Sequence, residues 1–266
     1  MPDQDQNSRR TGVVFIHGVG GSAAAWQWQV ESFSAAGYAP LAVDLPGYGG
    51  RPPIQHTDFE QLSQDVETQI EKAGFDRPVL VGHSLGGMVA QAMMRRKPQG
   101  YQAVVLVGTS PAFGKPDGDF QKQFVEERLA PLRSGHTMSD LAAEMINGIM
   151  ALGSDPEGRK IAVASMGAVP PQTYQACVEA IVTFEERANL SLIEVPVLLL
   201  VGEFDRQAPA NMMQRMAQKI RGAKFVMLPG LGHMPNLENR AAFDAAVLDY
   251  LGQVLPRSVQ KRSAAQ

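Results

Sequence analysis

A single cysteine, Cys177, excludes an intramolecular disulfide in this 266-residue chain and fits a reducing compartment. With no histidine-like partner in its neighbourhood along the chain, it reads as a small buried hydrophobe. No H-E-x-x-H segment and no cysteine cluster occurs, and the five histidines show no paired spacing. No metal site is therefore expected, and without a P-loop no cofactor is expected either. Residues 1–10 are polar and lack an apolar core, so neither a signal peptide nor a membrane span is predicted, and the expected location is cytoplasmic. Strong charge of one sign is missing too. A formal net charge of −3 gives no reason to expect nucleic acid or an anionic membrane as partner.

What is present is alternation. Apolar runs predict strands over 12–16, 38–43, 78–81, 103–107, 196–201 and 224–228, and helical patterns fall over 24–36, 59–73, 85–96, 211–220 and 240–251. Alternating strands and helices predict an α/β chain with a mostly parallel sheet of about six strands and helices on both faces. The length suits one large core.

Gly82-His83-Ser84-Leu85-Gly86 directly follows the third apolar run and opens a helix. The G-x-S-x-G pattern is weak alone, but strand–turn–helix is the context in which it exposes a serine hydroxyl above a sheet edge. A serine needs a general base at neutral pH, and that base needs an orienting carboxylate. On open folds with such a turn the chain order is serine, acid, histidine. Only His136 and His233 lie downstream of Ser84. His136 sits in a polar turn between helices and reads as a surface residue. His233 sits in a Gly/Pro-rich loop after the sixth strand, and Asp205 follows the fifth, so both join Ser84 at one sheet edge. Glu203 is the nearest competitor for the acid role. The strand after the nucleophile helix ends in Gly108-Thr109-Ser110 and offers no carboxylate.

A dinucleotide-binding reading competes. Gly18-Val19-Gly20-Gly21-Ser22-Ala23 fits G-x-G-x-x-A after a strand, and Asp44 ends the next one. The turn-rich residues 46–53 that follow Asp44, and the unexplained Ser84, Asp205 and His233, count against it. Asp44 then reads as a structural carboxylate capping the turn after it.

Taken together, His17-Gly18-Val19-Gly20-Gly21-Ser22, Asp44-Leu45-Pro46-Gly47-Tyr48-Gly49, the serine turn, the 202–209 loop and the 230–238 loop resemble the α/β-hydrolase fold superfamily. The resemblance runs from about residue 13 to 251. It implies Ser84 as nucleophile, Asp205 as triad acid and His233 as base, with an oxyanion hole from the backbone N–H groups of Val19 and Leu85. His17 comes too early for the antiparallel hairpin that often opens the fold, hence six strands where eight are usual.

Residues 113–190 interrupt the alternation with helical stretches at 119–132, 139–151, 155–168 and 171–189. They read as a helical cap inserted in a core of 1–112 and 191–255, with 256–266 a polar, frayed tail. Phe113, Phe120, Phe124, Met138, Met145, Met150 and Met166 are candidates for an acyl pocket. The pocket is expected to draw on Gly18, Trp26, Phe113, Met145 and Met234. Arg128, Arg133, Arg159 and Arg187 look scattered and solvated.

A serine nucleophile argues against epoxide or haloalkane hydrolysis. The short amino terminus resembles the plant methyl-esterase and hydroxynitrile-lyase branch, but Met234 stands where those lyases place a lysine. The cap and the histidine loop resemble bacterial aromatic-degradation hydrolases. The resulting expectation is hydrolysis of a small-molecule carboxylic ester or lactone by a monomer or homodimer. A C–C bond hydrolase is the enzyme alternative, and a non-catalytic receptor on the same fold is the alternative of another class.

Overall fold

The computed structural model describes residues 10–115 and 118–255. The predicted tail at 256–266, and all of the polar amino-terminal stretch except Arg10, lie outside the described residues. Six strands form one wholly parallel sheet: β1 (Gly12–Ile16), β2 (Ala39–Val43), β3 (Val79–His83), β4 (Ala103–Val107), β5 (Val197–Gly202) and β6 (Lys224–Leu228). Their spatial order is β2-β1-β3-β4-β5-β6. Central strands β1, β3, β4 and β5 are buried along their whole length, which is why each reads as an unbroken apolar run.

Successive strand residues face opposite sides, and each side has its own core. Val14, Ile16, Leu80, Val104, Leu106 and Leu199 point one way, toward α2 (Phe59–Lys72), α3 (Leu85–Arg96) and α8 (Ala210–Ala217). Val13, Phe15, Val81, Val105, Val107 and Leu200 point the other way, onto α1 (Gln27–Ala35) and α10 (Arg240–Val254). Burial of this kind is worth about 25 cal/mol per Å² of apolar surface, so the doubly covered sheet is the stable frame.

Between β4 and β5, among the described residues, lie four α-helices: α4 (Asp119–Arg133), α5 (Met138–Ile149), α6 (Pro156–Gly167) and α7 (Pro171–Ile181). Local chemistry sets their starts. Thr137 and Asp140 form a reciprocal capping box for α5, and Asp155 accepts from Glu157 N and Gly158 N ahead of Pro156 in α6. The predicted helix over 171–189 stops at Ile181. β-branched Val182 and Thr183 lead into a turn, and buried Phe184 packs on Phe59 with ring centroids 4.5 Å apart. The chain then crosses back over its own entry, with Phe113 N donating to Phe184 O and Glu186 N to Pro111 O. A short helix, α9 (Pro235–Glu238), follows β6.

Candidate active site

Ser84 joins β3 to α3 at φ 53° and ψ −117°, the sole non-glycine residue with positive φ among the described residues. Such a conformation costs on the order of 1–3 kcal/mol and persists only when its surroundings over-determine it. Here Ser84 N donates to Val107 O at 2.9 Å, and Thr109 Oγ1 donates to Ser84 O at 2.8 Å. The flanking glycines are demanded by space. A Cβ on Gly82 would sit 2.4 Å from Gly86 O, and one on Gly86 would sit 2.2 Å from Ile16 O. The Ser84 hydroxyl itself makes no hydrogen bond among the described residues.

His233 and Asp205 come from the loops after β6 and β5. His233 Nδ1 lies 2.8 Å from Asp205 Oδ2, and the aspartate side chain is fully buried. The carboxylate can only accept, so the imidazole donates from Nδ1 and turns its Nε2 away from Asp205. Asp205 Oδ1 accepts from Gln207 N at 2.8 Å and Ala208 N at 2.9 Å. Burial pushes the Asp205 carboxyl up. The His233 charge and these donated hydrogen bonds outweigh it and hold the group below the usual range. Gly108 makes room: a Cβ there would lie 2.9 Å from Asp205 Oδ2 and 3.2 Å from His233 Nδ1. Glu203 is exposed and accepts from Gly230 N at 2.8 Å, so it braces the loop and stays off the imidazole.

Three residues that the sequence reading left unassigned complete the surroundings. His17 Nδ1 donates to Gly18 O and its Nε2 accepts from Leu45 N, which fixes the turn carrying Val19. Glu238, buried in α9, accepts from Gly232 N at 2.7 Å and Met234 N at 2.9 Å, on either side of His233. It also accepts from Ala151 N and Ser154 Oγ of the α5–α6 connection, each at 2.9 Å. His83 Nε2 donates to His233 O at 2.8 Å, with the two rings 4.8 Å apart. His83 carried a signal in the sequence as the neighbour of Ser84, and His17 as the start of the glycine-rich motif; Glu238 carried none of its own.

Burial, then the His233 charge, push the His83 imidazole down to about 3. In the unfolded chain it titrates near 6.5, so folding requires the neutral form. A lowered folded-state value means this stability is fully present above about pH 6.5 and is lost as pH falls toward about 3. His83→Gln keeps an N–H donor at this place. It is expected to flatten the dependence of unfolding free energy on pH by about 1.4 kcal/mol per unit between about pH 6 and 4. Urea titrations across that window read this out, and equal slopes in the two proteins would refute it. His17, also pushed down by burial, contributes slope in both.

Ser84 and His233 face a cavity of about 680 Å³ roofed by the helices between β4 and β5. Of the predicted pocket residues, Gly18, Phe113, Met145 and Met234 line it. Trp26 does not. It ends a 3-10 turn, Ala23–Trp26, that swings its ring to the other side of the sheet, 5.1 Å from Phe15 and 5.9 Å from Phe243. Phe120, Phe124 and Met166 also face the cavity, whereas Met138 and Met150 are packed in the core away from it. His136 is exposed on a turn, as expected. Asp44 accepts from Ala23 N at 2.7 Å, so it ties down the glycine-rich loop and does not cap the turn after it. The backbone N–H groups of Val19 and Leu85 have no acceptor among the described residues. Gly18 brings that loop close, since a Cβ on it would lie 3.2 Å from Ser84 Cβ. Among the described residues no group of three or more His, Cys, Asp or Glu is placed to hold a metal ion. No helix among them is long and apolar enough to cross a membrane.

This architecture recurs in solved proteins. The enol-lactonase from Burkholderia xenovorans superposes with a TM-score of 0.82 at 25% identity, over 91% of this chain and 92% of that one. A thermophilic esterase from Thermogutta terrifontis superposes with a TM-score of 0.81 at 26% identity, over 92% of this chain and 90% of its own. By sequence, the pimeloyl-acyl-carrier-protein methyl ester esterase of Nitrosomonas europaea is 29% identical over 236 residues, 85% of this chain and 89% of its own length. The profile of the alpha/beta hydrolase family matches residues 13–246, nearly the whole described chain. The chain belongs to the alpha/beta hydrolase family.

Proposed function

We propose that this chain is a serine hydrolase that cleaves small carboxylic esters or lactones through an acyl-enzyme on Ser84. The observation that carries the reading is the buried Asp205–His233 pair, 2.8 Å apart, with His233 facing the same cavity as a serine held in a strained turn. In the first half-reaction Ser84 Oγ attacks the substrate carbonyl and His233 Nε2 takes its proton. The developing oxyanion is held by the free N–H groups of Val19 and Leu85, each worth about 3 kcal/mol in the transition state. His233 then protonates the departing alkoxide, which leaves an ester bond to Ser84. In the second half-reaction Nε2 takes a proton from water, the hydroxide attacks, and Ser84 recovers its proton as the acid departs.

The esterase and lactonase names of its relatives support a carbonyl-oxygen bond as the target. Phe113, Met145, Met166 and Tyr174, drawn from the helical insertion, give the acyl side an apolar wall. We assign to that insertion the choice of substrate, with a cytoplasmic setting suggested by the single buried thiol. A fluorophosphonate probe tests the reaction. Peptide mapping should find one adduct, on Ser84, formed at a rate that a competing ester lowers. Labelling at another residue, or no labelling of folded protein, would overturn the proposal.

A further inference from the structure

We infer that Arg128 is a carboxylate-recognition residue in the acyl pocket, so that the preferred substrates are esters or lactones carrying a negatively charged group on the acyl side. The inference deepens the reading of Ser84 as an ester-cleaving nucleophile and rests on it for the reaction, though not for the binding.

Arg128 departs from the solvated surface residue that its sequence position suggested. It is half-buried in α4 and lines the same cavity as Ser84 and His233. Its guanidinium lies 3.8 Å over the Phe124 ring, which fixes the plane of the fork. Nη2 donates to Gln207 Oε1 at 2.8 Å, from the loop that also carries Asp205. Among the described residues no carboxylate comes within 4 Å of it. The other insertion arginines are used differently. Arg133 pairs with Glu126, Arg187 pairs with Glu185, and Arg159 donates to Asn147 Oδ1 and Ala151 O.

A guanidinium offers five donors in a rigid fork and stays charged at any physiological pH. In Arg128 one donor goes to a neutral amide, the guanidinium stacks on Phe124, and the cavity it lines is shared with Phe113, Met145 and Tyr174. A half-buried cation without a carboxylate costs free energy, which an anionic ligand group would recover through a bidentate pair. Of the carboxylates on the cavity lining, Glu127 is near enough to act on the Arg128 charge, but like Glu144 it is exposed, and neither forms an ion pair with the guanidinium. Burial is the leading influence on the guanidinium and lowers its pKa. The Tyr174 phenol lies near enough to sense that charge and adds a second polar group to the wall.

The test compares mono-p-nitrophenyl esters of adipic, suberic and sebacic acid with p-nitrophenyl hexanoate, octanoate and decanoate. In the wild type the best carboxylate ester should exceed its neutral partner in kcat/KM by about tenfold or more. In Arg128→Leu that ratio should fall about 10- to 100-fold, the range of one charge-assisted pair, while in Arg133→Leu it should hold. Arg128→Gln takes the place of the leucine variant if the latter does not fold. A wild type that prefers the neutral ester at every length, or a ratio untouched by the Arg128 change, overturns the subsite. Ser84-dependent cleavage of the neutral esters would then leave the ester-hydrolase reading standing. If no ester is cleaved, that reading falls and calorimetry with adipate decides the subsite alone: binding to the wild type that is lost in the Arg128 variant supports it, and no binding overturns it.

Discussion

Ser84→Ala is expected to lower kcat on a p-nitrophenyl ester by at least about 10⁴-fold, because the proposed acyl-enzyme forms on the Ser84 hydroxyl. Loss of the hydroxyl should cost the fold little, since it holds no hydrogen bond in this structure. The strain remains in alanine, which also has a Cβ at φ 53°. Ser84→Gly removes it. The glycine variant should therefore be equally inactive yet more stable than the alanine variant by about 1 kcal/mol, as read from denaturant midpoints. Residual activity within a factor of ten of wild type in either variant would rule out the acyl-enzyme on Ser84. A glycine variant less stable than alanine would show that the turn is not strained as its dihedral angles imply.

Asp205→Asn should lower kcat by about 10⁴-fold with little change in KM, and the reason lies in three hydrogen bonds. Gln207 N and Ala208 N must still be accepted, so the amide introduced there presents its oxygen to them. Its NH₂ group is then left facing His233 Nδ1, which must accept where it formerly donated. The imidazole proton moves to Nε2, and the base arrives at Ser84 already protonated. Glu203→Gln keeps an oxygen for Gly230 N and should change kcat by less than about threefold. Steady-state kinetics on the two variants decide between the acids. If the large loss followed Glu203→Gln, the carboxylate role would belong to Glu203.

The six strands were readable from their apolar runs, unbroken and buried in the four central ones because a parallel sheet covered on both faces buries them along their whole length. Ser84, Asp205 and His233 were readable because each follows one of those runs, and the loops there converge on one edge of the sheet. Trp26 was misplaced because its direction depends on the 3-10 turn that it ends, and the sequence Ala23-Ala24-Ala25 does not say which face the ring will meet. Arg128 and Glu238 were illegible for a different reason. Their partners, Gln207 and Ala151, lie 79 and 87 residues away, and neither pairing follows from local pattern.

Glu238 links two things usually treated separately, the roof over a pocket and the chemistry at its floor. One carboxylate holds the amides that flank His233 and, at the same time, the connection between α5 and α6. His233 N also donates to Ile149 O at the end of α5, so the imidazole hangs from the roof as much as from the sheet. Lifting that half of the roof to admit a substrate would draw the base out of line with Asp205. The opposite half, which includes α4, touches the Asp205 loop through Arg128 Nη2, which donates to Gln207 Oε1. On the Glu238 side, a displacement of the α5–α6 connection is therefore also a displacement of the amides that flank His233.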